Sequence, residues 1–132
     1  MRFVLTALIF VAGLFDLILG LGFLIHPAEA ASNFFLSPVG PGGLAVLRAD
    51  FTAFFVVAAA CMIWGAWRRN GDLLLVPAVL FGIAFSGRAV SIFADGTAPM
   101  FWMPMAVEAF HVVLLVAAWK LLPHHPIEEI AD

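Results

Sequence analysis

The feature that most constrains the fold is a series of four apolar stretches. Each is close to the roughly 20 residues that an α-helix needs to cross the hydrocarbon core of a bilayer. They cover residues 3–25, 44–67, 73–93 and about 104–122. Short connections rich in Gly, Pro, Asn and Asp separate them, as is typical of helix ends. The chain therefore predicts one all-α domain, an integral membrane four-helix bundle, followed by a short polar tail over residues 123–132.

Composition excludes several classes of protein. The chain is 64% hydrophobic and 11% charged, whereas a soluble domain carries roughly 25% charged residues, so a water-soluble domain is excluded. Six Lys and Arg against nine Asp and Glu, with no basic run, argue against a nucleic-acid partner. The single cysteine, Cys61, excludes an internal disulfide and paired-thiol redox chemistry.

The first apolar stretch has two interpretations. Residues 28–30 read Ala-Glu-Ala, which resembles the cleavage site of a signal peptide. The stretch is longer than a signal-peptide core, and it contains Asp16, which is costly in lipid unless neighbouring helices shield it. We therefore expect a retained first helix.

Lys and Arg in the short loops predict the orientation. The basic residues near the helix ends all fall on one side of the predicted membrane, and they are Arg2, Arg68, Arg69 and Lys120. The two loops on the opposite side contain no Lys or Arg. The positive-inside rule then places both termini in the cytoplasm.

The two segments that follow the first stretch also carry predictions. Residues 27–36 predict a short interfacial helix with Phe34 and Phe35 among the lipid headgroups. The glycine-rich run 40–43 lacks the lysine of a phosphate-binding loop, so we interpret it as a break before the second helix.

Polar residues inside the apolar stretches form the most informative pattern in the sequence. Counted at about 1.5 Å per residue from the outer helix ends, four of them lie roughly 6–10 Å deep: Arg48, Asp50, Arg88 and Glu108. Asp16 and His111 lie slightly deeper, and Asp95 lies at the edge of the layer. Helical spacing places Ser91 and Asp95 on the face of Arg88, and His111 on the face of Glu108. All four helices thus contribute to one predicted layer, which contains Asp16, Arg48, Asp50, Arg88, Ser91, Asp95, Glu108 and His111.

Two interpretations of this layer stay open. It is either a buried ion-pair network that fixes helix register, or the polar floor of a pocket that opens to the outer face or outer leaflet. Arg48 and Asp50 are two residues apart, so they point in different directions and are expected to pair with different helices. Candidate apolar walls are Phe51, Phe54, Phe55, Phe101 and Phe110.

Familiar cofactor and catalytic sites need more than this sequence offers. A di-iron bundle needs two Glu-x-x-His motifs, and only Glu108 to His111 fits. A zinc site with Asp16 or Asp50 as third ligand, or a haem, is a weaker interpretation. His124 and His125 alone are too few for a metal. Ser91 lacks the surrounding motif of a hydrolase nucleophile. We therefore predict no catalytic residue, no metal and no cofactor.

Three strings resemble a known group of proteins. They are FDLILGLGFLIHP over residues 15–27, LRADFTAFF over 47–55 and GRAVSIFADG over 87–96, followed by Glu108. The set resembles a family of bacterial four-helix membrane proteins of unknown function, similar in layout to DoxX-like proteins. The resemblance implies a multi-pass protein of the bacterial inner membrane. DoxX-like members are associated with sulfur oxidation and quinone reduction, and a wider group of four-helix proteins binds sterols or other lipids in a polar-floored cavity.

These observations favour a non-enzymatic membrane protein. We expect it to bind an amphipathic small molecule, such as a lipid or a quinone-like compound, or to be an accessory subunit of a larger membrane complex. Small residues at positions 45, 49 and 53 also allow a homodimer. One alternative is an enzyme in which Glu108 or Asp50 transfers a proton on a lipophilic substrate. Another is a proton-coupled exporter of cations that uses Asp16, against which the two arginines of the layer count.

Overall fold

The computed structural model describes residues 2–124, and within this range the regular structure is helical, with no strand. The α-helices are α1 (Arg2–Ile25), α2 (Pro27–Ser32), α3 (Gly40–Val46), α4 (Thr52–Arg68), α5 (Leu75–Ala94) and α6 (Trp102–Leu121). A π-helical turn over Leu47–Phe51 joins α3 to α4, and a 3₁₀ turn over Asp72–Leu74 leads into α5.

Within residues 2–124, four helical stretches are long and apolar enough to cross a membrane: Arg2–Ile25, Gly40–Arg68, Asp72–Ala94 and Trp102–Leu121. The predicted all-α architecture with four membrane-length helices is thereby confirmed. Of the predicted tail, residues 125–132 lie outside the described residues, and so does His125.

The second long helix begins at Gly40, four residues before the predicted start at Leu44. The interpretation of residues 40–43 as a break was wrong. Pro41 lies in the first turn, where its missing N–H removes no hydrogen bond. Gly40 precedes it with a φ of 59°, in the left-handed region that glycine tolerates.

Close packing of α1 against α4 forms the most extensive helix pair, and α5 against α6 forms the second. Two glycines of α1 explain the approach. A Cβ on Gly13 would lie 2.9 Å from Ile63 Cγ1, and one on Gly20 would lie 2.9 Å from Val56 Cγ2. Contacts between α4 and α5 and between α1 and α6 close the bundle.

Side chains divide between a tightly packed interior and an apolar outer surface. Ile9, Met62 and Leu115 are fully buried at the centre of the bundle. The outward faces are also hydrophobic, with Ile18 and Val113 exposed to 69% and 71%. Such a surface is rare on a protein in water and suits contact with lipid chains.

The loop after α1 contains the short helix α2, close to the predicted interfacial helix. Phe34 departs from the prediction, because its ring packs inward, 5.2 Å from the ring of Phe23 and 5.8 Å from that of Phe55. Phe35, with a φ of 61°, is 59% exposed. The two neighbouring rings therefore face opposite ways, and Phe34 covers the predicted outer end of the core.

Candidate functional site

A cavity of about 440 Å³ lies between α1, the second long helix, α5 and α6. This volume is within the range of small-molecule sites in proteins, about 300–1,000 Å³. The cavity occupies the half of the bundle that the sequence predicts to be outer. Four ionisable residues line it: Asp16, Asp50, Arg88 and Glu108.

These side chains come from comparable heights on their helices. Arg88 lies six residues before the end of α5 at Ala94, and Glu108 lies six residues after the start of α6 at Trp102. Asp16 lies nine residues before the end of α1 at Ile25, and His111 lies nine residues after the start of α6 at Trp102. At about 1.5 Å per residue the two levels are about 9 and 14 Å deep.

Aromatic rings form much of the cavity wall. Phe54 makes edge-to-face contacts with Phe55 and Phe81, at centroid distances of 5.1 and 5.5 Å. Phe81 then stacks on the ring of His111 at 4.2 Å. The six phenylalanines that line the cavity are Phe15, Phe34, Phe51, Phe54, Phe55 and Phe81.

The predicted aromatic residues divide between the cavity and other positions. Phe51, Phe54 and Phe55 line it, whereas Phe101 and Phe110 do not. Sequence reasoning missed Phe15, Phe34 and Phe81 as parts of the wall. The sequence signal for Phe15 was its position next to Asp16. Two adjacent helix residues can both line a cavity when the cavity lies at the edge of the helix face that carries them.

Arg88 and Glu108 form the strongest polar contact in the site. Arg88 Nε donates to Glu108 Oε1 at 2.7 Å, joining α5 to α6. The Glu108 side chain is 9% exposed and the Arg88 side chain 29%. Glu108 Oε2 is buried without a hydrogen-bond partner among the described residues. The guanidinium uses its Nε for this pair, so its terminal amino groups are the donors left for another molecule.

A second pair lies one helical turn deeper. His111 Nε2 is 3.4 Å from Asp16 Oδ2, across the interface between α6 and α1. His111 Nδ1 is 2.8 Å from the carbonyl oxygen of Val107, in the preceding turn of α6. Asp16 is 1% exposed, and within the described chain neither of its carboxylate oxygens has a hydrogen-bond partner. The cavity thus has a buried, unsatisfied acceptor at its deep end.

The spacing predicted that Arg48 and Asp50 pair with different helices; within the described chain the structure shows a partner for Arg48 and none for Asp50. Asp50 lines the cavity, and no hydrogen bond or ion pair links its carboxylate to another described residue. Arg48 Nε instead donates to the carbonyl oxygen of Leu24 at 3.3 Å, where α1 ends. Single π-helical turns within longer helices are frequently found at functional sites. This one carries the sequence LRADF and places one of its two charged residues in the cavity.

Ser91 and Asp95, the other predicted members of the layer, lie outside the cavity lining. Both sit at the end of α5, where the backbone N–H of Asp95 donates to the Ser91 carbonyl oxygen at 2.8 Å. Asp95 is exposed beside Gly96, whose φ is 87°. The structure therefore gathers Asp16, Asp50, Arg88 and Glu108 at the cavity, with His111 behind Asp16, and leaves three predicted residues apart.

Metal binding needs several ligands close together. Among residues 2–124, no three His, Cys, Asp or Glu side chains are grouped as a metal site requires. His124, which the sequence places in the tail, contacts Asp72 instead, with His124 Nδ1 2.6 Å from Asp72 Oδ1.

Comparison of the chain with protein family models, with curated proteins and with solved structures finds no match. The class of protein is therefore defined by its own fold and site. It is an all-helical chain with four candidate membrane-spanning helices and a cavity between them that is lined by phenylalanines and charged side chains.

Proposed function

We propose that this protein is a non-enzymatic, multi-pass protein of the bacterial inner membrane that binds an amphipathic small molecule or lipid between its helices. The observation that carries the proposal is the cavity, whose aromatic wall and ionisable side chains face the same space. An apolar pocket with a few convergent polar groups is the usual form of a small-molecule site.

Exposed lining residues indicate how a ligand would reach the cavity. Phe15 on α1 is 48% exposed, and Met103 on α6 is 46% exposed. Both flank the side of the cavity between α1 and α6, two helices that contact each other less than α1 contacts α4. In a membrane this side faces lipid chains, so a hydrophobic ligand would enter from the bilayer.

Contacts between the polar groups favour binding over catalysis. The Glu108 carboxylate accepts from Arg88, and Asp16 lies beside His111. A general base must lie within hydrogen-bond reach of the proton that it takes, and Glu108 Oε1 already accepts from Arg88. We therefore assign the Arg88–Glu108 pair to keeping α5 and α6 together, with the remaining N–H groups of Arg88 left to donate to an acceptor atom of the ligand.

The remaining parts of the proposal come from the sequence. The distribution of Lys and Arg supports cytoplasmic termini, which places the cavity toward the outer leaflet. The resemblance of residues 15–27, 47–55 and 87–96 supports a relation to the DoxX-like group. Binding as an accessory subunit in a larger membrane complex is compatible with the same cavity.

A cavity-filling substitution tests the proposal. Ala84 lines the cavity on α5. The adjacent Ile83 does not line it and is 66% exposed on the surface of the bundle. Ala84→Phe should fill part of the cavity, whereas Ile83→Phe adds the same side chain outside it. The full chain and both variants are purified from native membranes in mild detergent and measured by native mass spectrometry with lipid extraction.

We expect one chemical class of small molecule to remain bound to the wild type and to Ile83→Phe, and to be lost from Ala84→Phe. Equal retention by all three proteins would contradict binding in this cavity. Co-purifying proteins without a retained small molecule would replace the proposal with the accessory-subunit role.

A further inference from the structure

The charges that face the cavity are unequal in sign. Of the described residues that line the cavity, Arg88 is the one basic residue, whereas Asp16, Asp50 and Glu108 are acidic. Arg48, which the sequence predicts in the same layer, is bound to the carbonyl oxygen of Leu24 at 3.3 Å and does not line the cavity. One of the two arginines that argue against a cationic ligand therefore lies elsewhere.

The other arginine is already paired. Arg88 Nε lies 2.7 Å from Glu108 Oε1, so its charge is compensated within the protein. Asp16 and Asp50 remain, and among residues 2–124 the one further titratable group in contact with either of them is His111, 3.4 Å from Asp16. With the carboxyl groups ionised, the cavity holds two negative charges in excess when His111 is neutral and one when it is protonated.

Two carboxylates of the cavity, those of Asp16 and Asp50, accept no hydrogen bond from any other residue of the described chain. Asp16 is 1% exposed, and its Oδ1 atom is buried and unsatisfied. Asp50 is exposed toward the cavity, and its carboxylate is unpaired among residues 2–124. An unpaired carboxylate away from water is costly, and a cationic or hydrogen-bond-donating group of a ligand would relieve that cost.

The wall of the cavity favours the same sign of charge. Aromatic rings present a negative π face, which attracts organic cations within about 6 Å of the ring centroid. Phe51 and Phe54 belong to the lining on the same helix as Asp50, and Phe81 lies across the cavity. Rings and carboxylates together form the kind of surface that recognises ammonium groups.

We infer that the ligand of this cavity is an amphipathic organic cation, with an apolar body against the phenylalanines and a positively charged group beside the Asp50 carboxylate, attracted also by the buried charge of Asp16 behind it. The inference rests on the proposed function and names the chemical class of its ligand.

Two lipophilic ions of similar size and shape but opposite charge test the inference. Radiolabelled tetraphenylphosphonium is the cation, and tetraphenylborate is the anion. Each is measured with the purified full chain by saturation binding, and specificity is defined by displacement with unlabelled ion. Asp50→Asn removes a charge at a position whose side chain holds no other described residue, so this variant should fold normally.

We expect saturable binding of tetraphenylphosphonium that Asp50→Asn weakens by about tenfold or more, as loss of one partner of a charge pair does. Ala84→Phe should abolish it, and Ile83→Phe should leave it unchanged. Binding of tetraphenylborate with equal or greater affinity would overturn the inference, and so would cation binding that is insensitive to Asp50→Asn.

The two proposals fail in different ways. If tetraphenylborate binds and Ala84→Phe abolishes its binding, the cavity is a ligand site and only the inferred charge is wrong. If neither ion binds while native mass spectrometry still finds a molecule lost from Ala84→Phe, the inferred ligand class is again wrong and the proposed function stands. If no molecule depends on Ala84, both are overturned.

Discussion

Removal of the Arg88 side chain separates the contributions of the two members of the main ion pair. Arg88→Ala leaves Glu108 without the Nε–H that it accepts at 2.7 Å, and its other oxygen already lacks a partner in the described chain. Breaking a fully buried pair costs about 3–5 kcal/mol. Because the Arg88 side chain is 29% exposed and solvent screens that side, we expect a smaller loss than for a fully buried pair, about 2–3 kcal/mol.

Glu108→Gln is the matched change on the other side of the pair. The glutamine carbonyl oxygen can still accept from Arg88 Nε, so shape and one hydrogen bond are kept. Arg88 then loses an ionic partner but keeps partial contact with solvent. We expect a loss of about 1 kcal/mol, the size of one hydrogen bond's net contribution.

Equilibrium unfolding in mixed micelles with increasing denaturing detergent measures both free energies. Arg48→Ala is the control, since it removes an exposed arginine that bonds only to a helix-end carbonyl, and a small loss is expected. Equal losses for Arg88→Ala and Glu108→Gln would refute the reasoning. They would mean that the pair is a structural unit in which neither group is poised for a ligand.

Three further predictions concern packing, the buried carboxylate and orientation. Gly13→Ala should lower the free energy of unfolding by about 1–3 kcal/mol, because the new Cβ would lie 2.9 Å from Ile63 Cγ1. Gly22→Ala has open space around the new Cβ, so it should raise the free energy of unfolding by up to about 1 kcal/mol. The same micelle assay measures both variants. Asp16→Asn should leave stability unchanged or higher, since it removes an unsatisfied buried carboxylate, while weakening tetraphenylphosphonium binding; a stability loss above about 2 kcal/mol would mark Asp16 as structural. In a Cys61→Ala background, Ser37→Cys and Thr97→Cys should both react with a membrane-impermeant thiol reagent added to intact cells, and failure of both would contradict the predicted orientation.

Hydropathy was sufficient to predict the four long helices because an apolar stretch near 20 residues has few other stable uses. The helix ends were less certain. The run at residues 40–43 looks like a break, yet proline and glycine are tolerated in a first helical turn. The pattern of hydrophobic residues alone cannot distinguish a loop from such a turn.

The layer of charges could be placed by depth, because residue count along a helix gives height directly. The partner of each charged side chain depends on how its helix is rotated about its own axis and on the local backbone geometry. Asp16 lies close to His111 because α1 and α6 are neighbours in the bundle. The local sequence pattern of a helix does not predict which other helix it packs against. The separation of Arg48 from the cavity involves a π-helical turn, and the inward position of Phe34 depends on the path of the loop after α1.

The central claim is that the cavity holds a small molecule in the native membrane, and photo-crosslinking in intact membranes tests it most directly. The photoreactive residue p-benzoylphenylalanine replaces Phe54 in the cavity wall, or Phe93, which is 89% exposed on α5. Irradiated protein is digested, and adducts are identified by mass spectrometry. We predict one defined adduct at Phe54 that excess tetraphenylphosphonium prevents, and a mixture of bulk phospholipid adducts at Phe93. The same mixture at both positions, unaffected by the cation, would contradict the claim.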